Sequence, residues 1–547
     1  MHSSIDNRFV RMSSWWKHGV VYQVYPRSFQ DANQDGVGDL PGITERLAYL
    51  EWLGIDAIWI SPFYPSPMAD FGYDVANYTD VDPMFGTLAD AVRLIDAAHD
   101  RGLRVIVDYV VNHTSDQHPW FQASRSARDD PKRDWYFWKD PAPDGGPPTN
   151  WVSRFGGGPA WAWDDRTEQY YLHTYLPEQP DLNWGHPGVQ AAMLDVLRFW
   201  MDRGVDGFRV DVAYRPMINP EWTDNPPNPD WEPGMDPYKR LQETYTKNLP
   251  DAHRVAQMLR ETVEEYDDVV LIGEVTLPVD EMMAYYGDSG DEYHLPFNFN
   301  LIHSDWSAAS VQAHVERYEA LRPEHGWPNY VLGNHDQHRL ATRIGPAQAR
   351  VGHMLLLTLR GTPTLYYGDE IGMPNGSIPP EKVQDPWELK APGLGLGRDP
   401  ARTPMPWTPD PHGGFCPADV EPWLPVNEDV ATRNVEVQRD DPASELALVR
   451  RLLALRRSTR ALHGGTYTSL EAPDGVYAYE RTGDDDRFFV VLNFTTRPVT
   501  WTLPDDGASR LHTSTRMDRT GESVARTVDL RPDEGIVLRA APSSPGA

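Results

Sequence analysis

Short β-branched runs alternate with amphipathic helical stretches along most of the chain. The first run occupies residues 20–25 and the next two 57–60 and 105–111, with apolar residues at helical spacing over 43–53 and 88–100. Further runs lie at 207–210, 269–272, 329–332 and 364–367, and a less regular one at 293–299 makes eight. Strands separated by helices predict βα units, a parallel sheet and a closed (β/α)8 barrel of the TIM type, hence an α/β fold. Two stretches break the rhythm. Between about 112 and 184 the chain is dense in Trp, Pro, Gly and Asp with no clear helical period, which predicts a small domain inserted after the third strand. After a helical pattern at 445–456, alternating runs such as 487–493 and 500–503 predict a C-terminal antiparallel β-sandwich. The expected division is 15–112 and 185–464 for the barrel, 113–184 for the insertion and 465–547 for the sandwich, with a disordered-looking tail from Ala541.

Composition narrows the classes of partner. A formal charge of -31 with no basic block argues against nucleic acid. No run approaches the ~18 apolar residues of a membrane span. The first sixteen residues contain Asp6, Arg8 and Arg11 and no apolar core of a signal peptide. The single cysteine, Cys416, forms no internal disulfide and favours a reducing, cytoplasmic setting. The expected partner is a small neutral molecule, and the expected state a monomer or homodimer.

Three acids stand at strand ends, where a barrel gathers its chemistry. Asp211 closes Gly207-Phe208-Arg209-Val210, Glu274 closes Val270-Leu271-Ile272-Gly273, and Asp336 ends Gly333-Asn334-His335-Asp336. One such acid alone is more often a helix cap. A convergent set fits glycoside hydrolysis, which needs one ionised carboxylate and one protonated carboxyl about 5–5.5 Å apart in retaining enzymes. Arg209 falls on the same strand face as Asp211 and is read either as the charge that keeps it ionised or as part of a barrel-interior salt bridge. His113 and His335, also at strand ends, are read as donors to sugar hydroxyls in preference to zinc ligands, since neither has metal-ligand spacing.

Asp108-Tyr109-Val110-Val111-Asn112-His113, Gly207-Phe208-Arg209-Val210-Asp211, Gly273-Glu274-Val275 and Asn334-His335-Asp336 resemble the four ordered motifs of the α-amylase family. Gln179-Pro180-Asp181-Leu182-Asn183 is similar to the fifth motif of its oligo-1,6-glucosidase branch. The resemblance implies a retaining, exo-acting α-glucosidase with Asp211 as nucleophile, Glu274 as acid/base and Asp336 as transition-state stabiliser. It implies that Asp70 and Tyr73 hold the non-reducing glucose, with Tyr73 as stacking platform, and that Arg402 closes the pocket beside Asp70; an ordinary surface ion pair is the other reading of those two charges. Val212 resembles members that accept α-1,6 linkages. Phe155 is read either as a contact to the first glucose or as a plug of the small inserted core. Ala213-Tyr214-Arg215-Pro216 and the stretch 219–236 depart from the pattern and are expected on the aglycone side.

Asp31, Asn33, Asp35, Val37 (through its carbonyl) and Asp39 have calcium-like spacing, although position 12 is Gly42 and not a glutamate. The resemblance implies a structural Ca2+ there, with Mg2+ as the alternative ion and a metal-free turn as the alternative structure. No organic cofactor is expected. A transglucosylase or a sucrose- or trehalose-acting isomerase of the same family is the nearest rival function. A non-catalytic binding subunit is the remotest.

Overall fold

The computed structural model describes residues 15–484, 486–505 and 507–540; the tail from Ala541 and nearly all of the N-terminal stretch considered above lie outside the described residues. In chain order the strands are β1 (Val21–Val24), β2 (Ala57–Ile60), β3 (Arg104–Val110), β4 (Trp138–Lys139), β5 (Trp161–Asp164), β6 (Gln169–Leu172), β7 (Gly207–Asp211), β8 (Val270–Glu274), β9 (Leu295–Phe297), β10 (Asn329–Val331) and β11 (Thr362–Tyr366). Eight of them, in the order β10-β11-β1-β2-β3-β7-β8-β9, form one parallel sheet. All eight predicted barrel strands are present.

The sheet is closed between β9 and β10 by a side chain. Pro296 has no N–H to give to a ladder, and the buried Asn329 substitutes: its Nδ2 donates to the Pro296 carbonyl at 2.6 Å and its Oδ1 accepts from Asn298 N–H at 2.9 Å. The barrel interior follows the period of two along each strand. Val21, Ala57, Trp59, Ile106, Val270, Ile272, Leu295, Phe297 and Val331 pack together inside. Gly207 sits in that layer because a Cβ there would approach Val270 Cγ1 to 2.4 Å. One step further up, the inward positions turn polar: Gln23, Asp108, Arg209 and Asp211, and Glu274. The strands thus change from apolar to charged toward their C-terminal ends.

The helices around the barrel start on capping residues. Asp39 accepts from Gly42 N–H at the head of helix Leu40–Leu53, and Thr87 with Asp90 forms a reciprocal cap on helix Leu88–His99. Between β3 and β7 the antiparallel sheet β4-β6-β5 encloses a small core of Trp151, Ala160, Trp161 and Leu172. Its strands are only two to four residues long, too short for alternation to register in the sequence. After helix Glu445–Ser458 come β12 (Thr466–Leu470), β13 (Val476–Thr482), β14 (Arg487–Asn493), β15 (Val499–Thr502), β16 (Ser509–Ser514), β17 (Ser523–Val524), β18 (Thr527–Leu530) and β19 (Gly535–Ala540). They form an antiparallel six-stranded sheet and a two-stranded one around Trp501, Phe489 and Leu538, the expected sandwich.

The stretch 219–236 corrects one expectation. It lies against the inserted sheet, where Trp222 stacks on Trp151 at 5.7 Å and Trp151 Nε1 donates to the Thr223 carbonyl at 2.9 Å. Of the two segments placed on the aglycone side, only the first reaches the central cavity, through Tyr214.

Candidate active site

A cavity of about 180 Å3 opens at the C-terminal ends of the barrel strands. Asp211 and Glu274 stand side by side there, because β7 and β8 are neighbours in register with Val210 opposite Gly273. They end adjacent strands. Arg209 lies beneath them, 1% exposed, and grips both. Its Nη1 donates to Asp211 Oδ1 at 2.7 Å and to Asp108 Oδ1 at 2.8 Å, and its Nη2 donates to Glu274 Oε2 at 2.7 Å. The two readings of Arg209 are therefore one arrangement: a buried salt bridge that includes both candidate catalytic acids.

Val212 turns the chain out of β7 with φ +41°, a left-handed conformation that is rare for a β-branched residue and costs on the order of 1–3 kcal/mol. That turn aims the Val212 N–H at Glu274 Oε2, 3.0 Å away, and leaves the valine side chain on the cavity wall. Both donors to Glu274 use Oε2, so Oε1 remains for a proton. Arg209 likewise uses only Oδ1 of Asp211, leaving Oδ2 for a substrate.

One guanidinium serves three carboxylates here, and the charges do not balance. Burial pushes the Asp108 carboxyl up to about 6 despite Arg209. Burial also raises the Asp211 carboxyl; Arg209 opposes the shift, and Glu274, Asp108 and Asp336 reinforce it. Asp336 behaves in the opposite way: burial alone would raise it, but the charges around it, Arg398 and Arg402 among them, hold its carboxyl well below the usual range.

The arginine expected beside Asp70 is not the one found there. Arg398 Nη2 donates to Asp70 Oδ1 at 2.7 Å and Arg398 Nη1 to Asp336 Oδ1 at 3.2 Å, while Asp385 holds the same guanidinium from behind. Arg402 lies deeper and off the cavity lining, donating to Asp336 Oδ1 at 3.0 Å and to the His335 carbonyl at 2.8 Å. The two arginines flank a single 3-10 turn, Asp399–Ala401, which sends their side chains to different depths. The ion pair at Asp70 is also buried, which excludes the surface reading.

His335 is neutral, its imidazole held well below its ordinary value by burial. Gln23 Nε2 donates to its Nδ1 at 2.7 Å, so Nε2 carries the hydrogen and faces the Tyr73 hydroxyl at 2.8 Å, which in turn donates to Asp108 Oδ2 at 3.2 Å. The imidazole expected to donate to a sugar is thus engaged within the protein first. Tyr73 stacks parallel to it, ring centroids 5.3 Å apart, and lines the cavity. His113, pushed down to about 3 by burial, lines the cavity beside Gln179, whose Nε2 lies 3.0 Å from its Nε2. Phe155 lines the cavity too, against Tyr175 and Trp387, and is not part of the inserted sheet's core.

Asp108, Gln179, Arg398 and Asp385 were given no role in the sequence reading. The first two lie inside quoted motifs, and Arg398 stands four residues before Arg402, so the signal was present for them. Asp385 carried none.

The loop of Asp31, Asn33, Asp35, Val37 and Asp39 is knit by its own amides. Asp31 accepts from Gln34 N–H and Gly36 N–H, Asp35 from Val37 N–H, and Asp39 from Ala32, Asn33 and Gly42 N–H. Among the described residues no three His, Cys, Asp or Glu side chains gather closely enough to hold a metal. The all-oxygen donor set suits a hard cation chemically, but the carboxylates as placed are turned to the backbone.

Residues 23–465 match the model of the α-amylase catalytic domain. A probable α-glucosidase of Rhizobium meliloti (strain 1021) is 43% identical, covering 90% of this chain and 91% of that one. An oligo-1,6-glucosidase of Parageobacillus thermoglucosidasius is 37% identical over 90% and 92%. Among solved structures, the α-glucosyl transfer enzyme XgtA superposes with a TM-score of 0.90 at 40% identity, over 97% of this chain and all of that one. The trehalulose synthase MutB from Pseudomonas mesoacidophila MX-45 does so with 0.87 at 35%, over 96% and 99%. The chain belongs to the α-amylase family and is a glycoside hydrolase. No helix among the described residues is long and apolar enough to cross a membrane.

Proposed function

We propose that the protein is a retaining, exo-acting α-glucosidase that releases α-glucose from disaccharides and short oligosaccharides. The observation that carries this reading is the grip of one guanidinium on both Asp211 and Glu274, in a cavity whose lining includes the Asp70–Arg398 pair. Two carboxylates bound to two nitrogens of one arginine suit the ~5–5.5 Å separation of retaining enzymes. A cavity of about 180 Å3 is smaller than the ~300–1,000 Å3 of sites for drug-sized ligands, which suits a single sugar ring.

In the cycle, Glu274 gives its proton to the glycosidic oxygen as Asp211 Oδ2 attacks the anomeric carbon from the opposite face. The bond to the aglycone breaks and a β-glucosyl ester forms. Water, deprotonated by Glu274, then attacks the same carbon; α-glucose leaves and Asp211 is regenerated. Asp336, kept ionised by two arginines, accepts from hydroxyls of the distorted ring. Val212, on the cavity wall next to Asp211, is assigned a bearing on linkage, with α-1,6 bonds accepted.

A panel of maltose, isomaltose, sucrose, trehalose and starch tests this reading. Disaccharides should yield glucose with little action on starch; rapid starch depolymerisation would refute the closed pocket. A second reading, transglucosylation or sucrose isomerisation, draws on the solved relatives named for glucosyl transfer and trehalulose synthesis. It uses the same ester with a sugar in place of water, and new glucosides in the panel would favour it.

The same proposal includes a structural Ca2+, or Mg2+, in the loop of residues 31–39, supported by its oxygen-only donors. Chelation by EDTA should lower the melting temperature and added Ca2+ should restore it, with no direct effect on chemistry; superimposable melting curves would contradict this. A cytoplasmic setting is supported by the lone cysteine, Cys416, and fractionation of the source cells tests it.

A further inference from the structure

The N-terminal end of the barrel, opposite the Asp211 cavity, holds a second cavity of about 440 Å3 that the reaction does not use. It lies between the approaches to β1, β2 and β3, which supply His18, Asp56 and Arg104, and helix Glu445–Ser458 with its following turn, which supply Arg456, Arg457 and His463. In a chain of net charge -31 this lining carries three arginines, of which Arg104 is paired with Asp206 at 2.6 Å. Its one carboxylate is already engaged: Asp56 Oδ1 accepts from Arg457 Nη2 at 2.8 Å, and Oδ2 accepts from Val20 N–H at 2.9 Å.

Arg456 is the unusual member. It is 1% exposed, donates to the carbonyls of Leu357 at 3.1 Å, Leu359 at 3.0 Å and Gly361, and its buried Nε has no acceptor. Among the described residues no carboxylate pairs with it. Carbonyls at the end of helix Pro346–Thr358 offset part of the charge, but a full counter-ion is missing, and a buried charge without one is costly. Beside it His18 and His463 bring their Nδ1 atoms within 3.2 Å of each other. Burial, then His18 and Arg456, push the His463 imidazole down to about 4. Capping of the helix accounts for the carbonyl contacts of Arg456. It does not account for the open volume or the paired imidazoles.

We propose that this basal cavity binds a small oxyanion, a phosphate group free or carried on a small metabolite, through Arg456, Arg457 and His463. A phosphate in the cavity would supply, through charge-assisted contacts, the counter-charge that the fold withholds from Arg456.

Isothermal titration of the full chain at constant ionic strength tests this, with inorganic phosphate and glucose 6-phosphate as separate probes and chloride as the reference. Saturable binding of either probe is expected, weakened about tenfold or more by Arg457→Gln and, independently, by His463→Gln. Turnover of an aryl α-glucoside should be unchanged in both variants. Tight binding of inorganic phosphate supports the free ion, and binding of glucose 6-phosphate alone supports the sugar-borne group. Heats no larger than those of chloride, or binding that survives both substitutions, would overturn the proposal.

Discussion

Replacing Asp211 by asparagine is expected to cut turnover of an aryl α-glucoside by about ten-thousand-fold or more, since the amide cannot form the glucosyl ester. The fold should not suffer. Burial holds the Asp211 carboxyl above its unfolded value, with Arg209 opposing. A raised folded-state pKa means that the group's contribution to stability is present in full below its unfolded value, near 3.9, and is lost as pH rises through the folded value. At pH 7 the ionised aspartate is therefore a burden that asparagine removes, so the melting temperature should hold or rise, and any gain should shrink toward acid pH. Melting curves at two pH values, alongside steady-state rates, check both parts. Retained turnover would remove Asp211 from the mechanism.

Arg209→Met is expected to damage both stability and rate. Methionine fills much of the volume but leaves Asp108, Asp211 and Glu274 facing one another without their shared cation. Removing one partner of a buried ion pair costs about 3–5 kcal/mol, and here three acids lose the same partner. They must take up protons to remain buried, and a protonated Asp211 is no nucleophile. Turnover should fall by about a thousand-fold. The acid limb of the residual pH–rate profile should move to higher pH, because the carboxyl that must ionise has lost the charge that lowered it. A variant with wild-type melting and an unshifted profile would show that Arg209 merely fills space.

The barrel was legible because its strands are short, largely apolar runs separated by helical patterns, and two of them, β7 and β8, end in an acid. Arg209 and Asp211 could be placed on one face of β7 from their spacing alone, and their hydrogen bond bears this out. What escaped was information that spacing does not carry. Arg398 and Arg402 lie four residues apart in one motif, and only the turn between them decides which meets Asp70. Asp385 reaches the site by supporting Arg398, a role invisible without the fold. Trp222 packs on Trp151 from some seventy residues away, a contact that the sequence of 219–236, expected on the aglycone side, does not announce. Closure of the barrel by Asn329 answers a proline in the neighbouring strand, a compensation no periodicity announces.

The glucosyl ester on Asp211 is the most direct consequence of two acids held by one arginine. Incubation with a fluorinated glucosyl fluoride that slows hydrolysis of the ester, followed by proteolysis and mass spectrometry, should find one fluoroglucosyl adduct per chain, on the peptide that contains Asp211. A chain that turns over α-glucosides yet carries no adduct, or carries it on a different residue, would contradict the account.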